Sequence, residues 1–164
     1  MPEQKRLIPE FYELAVEHIM DKRTWDMPLV EKDAEIHHVL SILRGKSHVW
    51  VVDNMENKNV LGVITEHDIL SILAPKKLPP YVFGIPDTRS LHHGTANTAS
   101  DIMAKKLVKC SPKTSVKEVL NKMNDYGVRR LPVTDNGRIV GEITLHQIIR
   151  KYYAATQYHP LKGD

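Results

Sequence analysis

Residues 127–144 read G-V-R-R-L-P-V-T-D-N-G-R-I-V-G-E-I-T, two apolar stretches joined by Asn136-Gly137. Asn-Gly between apolar runs of strand length is a strong β-hairpin signal, because both residues tolerate positive φ. Just before this segment, residues 116–123 place apolar side chains at the i, i+3, i+4 and i+7 positions of a half-buried helix. Thr144 then opens another helical pattern, so the stretch predicts helix, strand, strand, helix.

The same order occurs earlier in the chain, as a helix, two strands and a helix in residues 36–43, 49–53, 60–64 and from Thr65 onward. His18-Ile19-Met20 and Asp101-Ile102-Met103 also match and lie ahead of the two copies. Gly45 and Gly127 follow the amphipathic helices, where we expect positive φ to end the last turn. With one short strand before each of these helices, the unit reads β-α-β-β-α and occurs twice.

We therefore predict an α+β fold of two repeats packed with pseudo-two-fold symmetry. A single repeat of this size would have a marginal core, so the two sheets should bury each other and leave two clefts between the halves. The expected divisions are a lead-in with a short helix, a first repeat, a Pro-rich linker, a second repeat and a fraying tail without periodicity, at residues 1–14, 15–73, 74–97, 98–152 and 153–164.

Composition narrows the class of protein. Apolar residues make up 41% and charged residues 26% of the 164 residues, as in an ordinary soluble domain. The net charge of +3 is only a mild positive excess, and a duplex-binding domain usually concentrates more positive charge on one face. A single cysteine, Cys110, excludes an internal disulfide and a thiolate zinc cage. No apolar run spans a membrane and the N-terminus has no secretory h-region, so we expect a cytoplasmic protein without membrane attachment.

The ordered series D-I-M, V-K-C-S-P, amphipathic helix and residues 127–144 resembles a cystathionine-β-synthase (CBS) domain. Residues 15–73, with Asp53, Gly62-Val63-Ile64-Thr65 and Asp68, resemble a more divergent copy. The two together resemble a tandem CBS pair, or Bateman module. The resemblance implies a stand-alone regulatory module rather than an enzyme. Its regulatory ligand would contain adenosine, as AMP, ADP, ATP or S-adenosylmethionine do, and no other cofactor is implied.

Thr65-Glu66-His67-Asp68 has two interpretations. From the residues alone we favour a helix cap, with Thr65 at the N-cap and Asp68 at N3. The resemblance implies that Thr65 contacts a phosphate and Asp68 the ribose hydroxyls. A helix N-terminus and a carboxylate suit those groups, and capping does not exclude them. The resemblance therefore makes us favour binding in the first repeat. In the second repeat Gln147 stands where the aspartate is expected, after Thr144.

Arg129-Arg130 precede the first hairpin strand of the second repeat, and Ser47-His48 are their counterparts in the first. Adjacent arginines are most often solvated, but a guanidinium pair also binds phosphate well. The resemblance implies that basic residues of one repeat reach a phosphate held by the other, so the two clefts would be unequal. The stronger site would comprise Val63, Thr65, His67, Asp68, Val108, Lys109, Cys110, Arg129 and Arg130. The weaker site would comprise Leu29, Val30, His48, Thr144, His146 and Gln147.

Other chemistry is expected to be absent. No Ser/His/Asp set, paired-acid motif or phosphate loop is evident, so we predict no catalytic residues. Nine histidines occur without zinc-type spacing, and we predict no metal site. Cys110 has no base beside it and reads as a packing residue rather than a nucleophile.

The helices that begin after Thr65 and Thr144 contain more apolar residues than one buried face needs. This surplus indicates a homodimer that forms through these helices. The signal would pass to a regulated protein that the residues do not identify. A less favoured alternative is nucleic-acid binding through a basic aromatic helix containing Arg150-Lys151-Tyr152-Tyr153.

Overall fold

The computed structural model describes residues 8–74 and 98–162, without the side chains of Thr24 and of residues 158–162. Residues 75–97, which make up nearly all of the predicted Pro-rich linker, lie outside the described residues. Two 3-10 turns occur at Val16–His18 and Thr24–Asp26. The other elements, in chain order, are α1 (Pro9–Tyr12), β1 (Leu29–Glu31), α2 (Ile36–Leu43), β2 (His48–Val52), β3 (Val60–Thr65), α3 (Glu66–Leu73), α4 (Ala99–Ile102), α5 (Val116–Tyr126), β4 (Arg130–Asp135), β5 (Arg138–Thr144) and α6 (Leu145–Lys162).

The chain divides into two compact units, and the first-repeat unit comprises Pro28–Leu107. Its sheet has the order β1-β2-β3, with β1 parallel and β3 antiparallel to the central strand. The side chains of β2 are buried on both faces. Val49 and Val51 face the core that the helices complete, which contains Val30, Val39, Val49, Val51, Ile64 and Ala99. Alternation along the strand assigns His48, Trp50 and Val52 to the opposite face.

The second-repeat unit joins Val108–Asp164 to the first 27 residues of the chain. Its hairpin pairs β4 with β5 and turns at Asn136 and Gly137, which have φ of 53° and 85°. Cys110 forms a parallel bridge to Val133, at the place that β1 takes in the other unit. The core combines lead-in, hairpin and helix residues, namely Ile8, Phe11, Val16, Cys110, Val116, Val119, Met123, Leu131, Val133, Ile143 and Ile148.

The two repeats therefore exchange the segments that precede them. In the second-repeat unit, the Val16 N–H donates to the Thr114 carbonyl at 2.8 Å. The backbone of Asp21 forms an antiparallel β-bridge with Glu142 on β5. In the first-repeat unit, Ala104 exchanges two backbone hydrogen bonds with Val63 on β3, at 2.8 and 3.1 Å. Each Ile-Met segment thus completes the sheet of the repeat that it does not belong to in sequence.

Most predicted elements are confirmed. The prediction of a fraying tail is wrong, because α6 continues as helix through residues 153–162. Tyr152 and Ala155 pack against the core, so tertiary contacts support the helix beyond its periodic part. The Thr156 hydroxyl adds a local hydrogen bond to the Tyr153 carbonyl at 2.6 Å.

The two glycines after the amphipathic helices differ. Gly127 ends α5 in the left-handed region with φ of 65°, as predicted. The same expectation for Gly45 is wrong, since α2 ends on Arg44 in a right-handed conformation and Gly45 has no positive φ.

Candidate functional site

Thr65 ends β3 and is the N-cap of α3, and Asp68 lies at N3 in the first turn. The Asp68 Oδ2 atom accepts from the Thr65 backbone N–H at 2.8 Å and from the Thr65 hydroxyl at 3.3 Å. The capping interpretation is therefore confirmed. Asp68 is only half-buried. Among the described residues its hydrogen bonds all reach Oδ2, so Oδ1 keeps its capacity to accept.

The start of α6 repeats this geometry with an amide. The Thr144 N–H donates to Gln147 Oε1 at 3.0 Å, and the Gln147 N–H donates to the Thr144 hydroxyl at 3.1 Å. The amide oxygen is uncharged and already accepts one hydrogen bond of the cap, and the remaining side-chain group is an NH₂, which can only donate. Gln147 therefore has no anionic oxygen that could accept from an adjacent pair of hydroxyls, whereas Asp68 has one.

A third box of the same type, at the start of α4, was not anticipated from the sequence. Asp101 Oδ2 accepts from the Thr98 N–H at 3.0 Å and from the Thr98 hydroxyl at 3.1 Å. The T-x-x-D spacing of Thr98 and Asp101 is the sequence signal for this box, and it begins three residues ahead of the D-I-M match. The box therefore marks helix starts in general, and Asp101 offers a matched control for Asp68.

Arg129 and Arg130 lie beside the second of these helix starts, within their own unit. Arg130 is the first residue of β4, is half-buried and faces Thr144 across the hairpin. Arg129 is exposed, and its carbonyl accepts from the Leu145 N–H at 2.9 Å. The arginine that points inward is therefore Arg130, as the alternation of strand residues requires.

His48 takes the corresponding place in the other unit, opposite Thr65 in the register of β2 and β3. It is 5% exposed, and its ring meets Trp50 edge to face with centroids 5.3 Å apart. The Ser47 hydroxyl lies 3.4 Å from His48 Nδ1. The two units thus present different side chains at equivalent positions, an imidazole in one and a guanidinium in the other.

Each predicted site combines residues of both units. The first-repeat unit holds the predicted residues Leu29, Val30, His48, Val63, Thr65, His67 and Asp68. The second-repeat unit holds Val108, Lys109, Cys110, Arg129, Arg130, Thr144, His146 and Gln147. Within each unit, the threonine that begins the last helix lies opposite the first residue of the first hairpin strand. These pairs are Thr65 with His48 and Thr144 with Arg130. The joining of Asp68 with Arg129 in one site stays a prediction.

The predicted site residues that lie just before the helix α2 or α5, Leu29, Val30, Val108, Lys109 and Cys110, divide into core and surface. Val30 and Cys110 are core residues, whereas Leu29 and Val108 are half-buried and Lys109 is exposed. The Cys110 backbone is already paired, with its N–H on the Pro132 carbonyl at 3.2 Å and its carbonyl on the Thr134 N–H at 2.8 Å. The Lys109 carbonyl accepts from Lys122 Nζ at 2.7 Å. Among these residues, Leu29 and Val108 therefore have the most side-chain surface suited to a base.

The Cys110 thiol is 5% exposed, and burial raises its pKa to about 11. A thiol with that pKa is almost entirely protonated at neutral pH and is a poor nucleophile. Its prediction as a packing residue is confirmed.

Both histidines after the N-caps, His67 and His146, are exposed. Within residues 8–74 and 98–162 no three histidine, cysteine, aspartate or glutamate side chains are grouped closely enough to hold a metal ion.

The basic aromatic stretch of α6 is divided by packing. Tyr152 meets Phe11 edge to face with centroids 5.0 Å apart, whereas Arg150, Lys151 and Tyr153 are exposed. One of the two tyrosines of the basic aromatic helix therefore packs against the core. In the described part of the chain, no helix has the length and apolar character needed to cross a membrane.

Solved structures show the same fold. The CBS domain pair of protein MJ0100, in complex with 5′-methylthioadenosine and S-adenosyl-L-methionine, is 23% identical with a TM-score of 0.64, covering 87% of this chain and 98% of that one. The structure of CBSX2 in complex with AMP is 20% identical with a TM-score of 0.65, covering 87% and 96%.

Curated relatives are longer than this chain. Homoserine O-acetyltransferase of Methanosphaera stadtmanae is 29% identical over 108 residues, which are 65% of this chain and 18% of that protein. The chain spans between 18% and 59% of the length of the curated relatives that it matches. The CBS domain family matches residues 16–75 and 99–154. The chain therefore belongs to the CBS domain family and carries two copies of the domain in tandem.

Proposed function

We propose that this chain is a non-catalytic sensor that binds one adenosine-containing ligand between its two repeats and passes its occupancy to a regulated protein. The observation that carries the proposal is the half-buried Asp68 carboxylate, which caps α3 through Oδ2 and keeps Oδ1 for a ligand. A carboxylate that accepts from both hydroxyls of a ribose forms charge-assisted hydrogen bonds, which are among the strongest available to a neutral donor.

The proposed ligand chemistry is a nucleotide or a related adenosine compound. In this proposal the start of α3, with Thr65, and the guanidiniums of Arg129 and Arg130 attract the anionic end. Leu29 and Val108 are the apolar surfaces offered to adenine. Similar domain pairs have been solved with S-adenosyl-L-methionine, 5′-methylthioadenosine and AMP, which supports adenosine as the shared part of the ligand.

The second site is proposed to be weak or vacant. Gln147 provides an uncharged amide where the first repeat has a carboxylate, and His48 is buried where Arg130 stands in the other unit. The expected stoichiometry is therefore one tightly bound ligand per chain.

Isothermal titration and thermal unfolding with AMP, ADP, ATP and S-adenosylmethionine test this proposal. A ligand at about 100 times its Kd adds about 2.7 kcal/mol to the free energy of unfolding, so a binding compound raises Tm measurably. Asp68→Ala is expected to remove this shift. Asp101→Ala loses an equivalent helix cap and should keep it.

The double variant carrying Arg129→Ala and Arg130→Ala distinguishes ligands that carry phosphate from those that do not. It is expected to weaken binding of AMP, ADP or ATP more than binding of adenosine itself, because only the nucleotides carry phosphate. Equal loss on Asp68→Ala and Asp101→Ala, or two equal sites per chain, would overturn the assignment. Oligonucleotide binding that falls steeply with salt would favour the nucleic-acid alternative instead.

The sensor is further proposed to act as a homodimer. Four large apolar side chains on α3 and α6 are exposed, Leu70, Leu73, Ile149 and Tyr153. Exposed apolar groups on neighbouring helical turns are typical of a surface that another protein covers.

A further inference from the structure

Residues 105–109 read K-K-L-V-K and form a lysine segment directly after the second Ile-Met segment. Lys105, Lys106 and Lys109 are all exposed. None of these three lysines has an ion-pair partner among residues 8–74 and 98–162. Because a five-residue stretch of chain is at most about 14 Å long between its end Cα atoms, three uncompensated ammonium groups belong to one small region of the surface.

The backbone fixes the lysine segment at both ends. Ala104, the residue before it, exchanges two hydrogen bonds with Val63 on β3, at 2.8 and 3.1 Å. At the other end the Lys109 carbonyl accepts from Lys122 Nζ at 2.7 Å, which brings a further ammonium group close to the segment. A partner that binds here therefore meets a segment whose ends are already ordered, and this reduces the conformational entropy that binding costs.

A basic pair also follows the first Ile-Met segment, where Lys22-Arg23 are the counterparts of Lys105-Lys106. There Asp21 accepts two side-chain hydrogen bonds from the Arg23 guanidinium, at 3.1 and 2.9 Å. Ala104 stands where the second repeat would need the corresponding carboxylate. The charge that is compensated within the first Ile-Met segment is therefore left for another molecule to compensate in the second.

The chemistry of the lysine segment favours an acidic protein over a nucleic acid. It contains no arginine, whose planar fork suits phosphate, and no aromatic side chain on which a base could stack. Leu107 between the lysines is half-buried and so offers some apolar surface as well. A protein segment that combines carboxylates with apolar side chains complements both features.

We propose that Lys105, Lys106 and Lys109 form the docking surface for an acidic segment of the regulated protein. The existence of a regulated protein is taken from the proposed function, on which this inference rests. The docked segment lies beside Ala104, whose hydrogen bonds join it to β3. Thr65 ends that strand and belongs to the predicted ligand site, so partner and ligand act on the two ends of one short connection.

Fluorescence anisotropy of a labelled oligoglutamate peptide, titrated with the full chain at low salt and without ligand, tests the proposal. The double variant carrying Lys105→Glu and Lys106→Glu is expected to raise the Kd of the peptide about tenfold or more, because it places like charges against the carboxylates. The double variant carrying Lys22→Glu and Lys32→Glu is the matched control. It changes the net charge equally, at two exposed lysines of the first repeat, and should have a much smaller effect.

Three results would overturn the proposal. They are a wild-type chain that does not bind the peptide, equal weakening in both double variants, and a DNA duplex that binds the lysine segment more tightly than the peptide does. Circular dichroism verifies that each variant is folded. Titration of AMP into the same variants reports separately on the ligand site, because neither Lys105 nor Lys106 belongs to it. Lost AMP binding with retained peptide binding would therefore count against the proposed function alone.

Discussion

Met103 packs its thioether directly over Gly62. A Cβ atom on residue 62 would lie 2.6 Å from Met103 Sδ and 2.7 Å from the Ala104 carbonyl oxygen. Met20 stands in the same relation to Gly141 in the other unit, with a corresponding separation of 3.0 Å from Sδ. The Ile-Met segments that precede the repeats therefore pack against sheet glycines, one in β3 where an added methyl group has no room and one in β5 where it would fit tightly.

Gly62→Ala is expected to destabilise the protein by about 1–3 kcal/mol, because the added methyl group collides with backbone as well as with a side chain. Gly141→Ala should cost less, since its nearest atoms are 3.0 and 3.2 Å from the added carbon. Gly45→Ala is the control, with nothing within 4 Å, and should be neutral or stabilising. Urea denaturation measures the series. An equal effect at all three positions would contradict the packing argument.

Phe11→Ala is expected to lower the free energy of unfolding of the second-repeat unit by about 3–5 kcal/mol, as for other buried aromatic residues. Phe11 precedes the first repeat in sequence but packs edge to face on Tyr152 of α6. Amide hydrogen exchange should therefore show lost protection in β4, β5 and α6 rather than in β1 to β3. Trp25→Ala, at an 82% exposed position, is the control with little expected effect.

The free energy of unfolding should fall between about pH 9 and pH 11 through Cys110. Burial raises the pKa of its thiol to about 11 in the folded protein. The unfolded chain therefore loses this proton at lower pH than the folded one, and ionisation at alkaline pH favours unfolding. Cys110→Ala should flatten this part of the stability profile measured by urea denaturation from pH 8 to pH 11. Rapid reaction of a thiol reagent with the native protein at pH 8 would contradict the assignment.

Gln147→Asp is expected to strengthen the weaker predicted site by about tenfold or more, because it supplies the carboxylate that Asp68 supplies in the first repeat. The cap should survive, since aspartate occupies N3 in the boxes at Thr65 and Thr98. Titration calorimetry with an established ligand should then approach two sites per chain. Asn121→Asp, exposed on α5, controls for the added charge. Unchanged stoichiometry would indicate that the carboxylate is not what the second site lacks.

The elements that the sequence predicted well are those decided by contacts close along the chain. The apolar period of Ile36–Leu43 matches α2 residue for residue, and Asn136-Gly137 turns the hairpin as its positive φ tolerance requires. The capping box of Thr65 and Asp68 also follows from spacing alone, since its two members lie within one helical turn.

Other features depended on distant residues. The helical segment 153–162 has no clear periodicity, yet it continues α6 where Tyr152 and Ala155 meet the core. The sequence predicts Cys110 as a packing residue, but the backbone hydrogen bonds that it makes with Pro132 and Thr134 are visible only in the structure.

Residue order alone shows that one β-α-β-β-α unit occurs twice, with Asp68 in one copy and Gln147 at the equivalent place in the other, because repetition and residue identity lie along the chain. The completion of each repeat by the segment that precedes the other is visible only in the folded chain. This exchange brings Met103 close to Gly62 and Met20 close to Gly141. Contacts between residues so far apart in sequence follow from packing, which local periodicity does not encode.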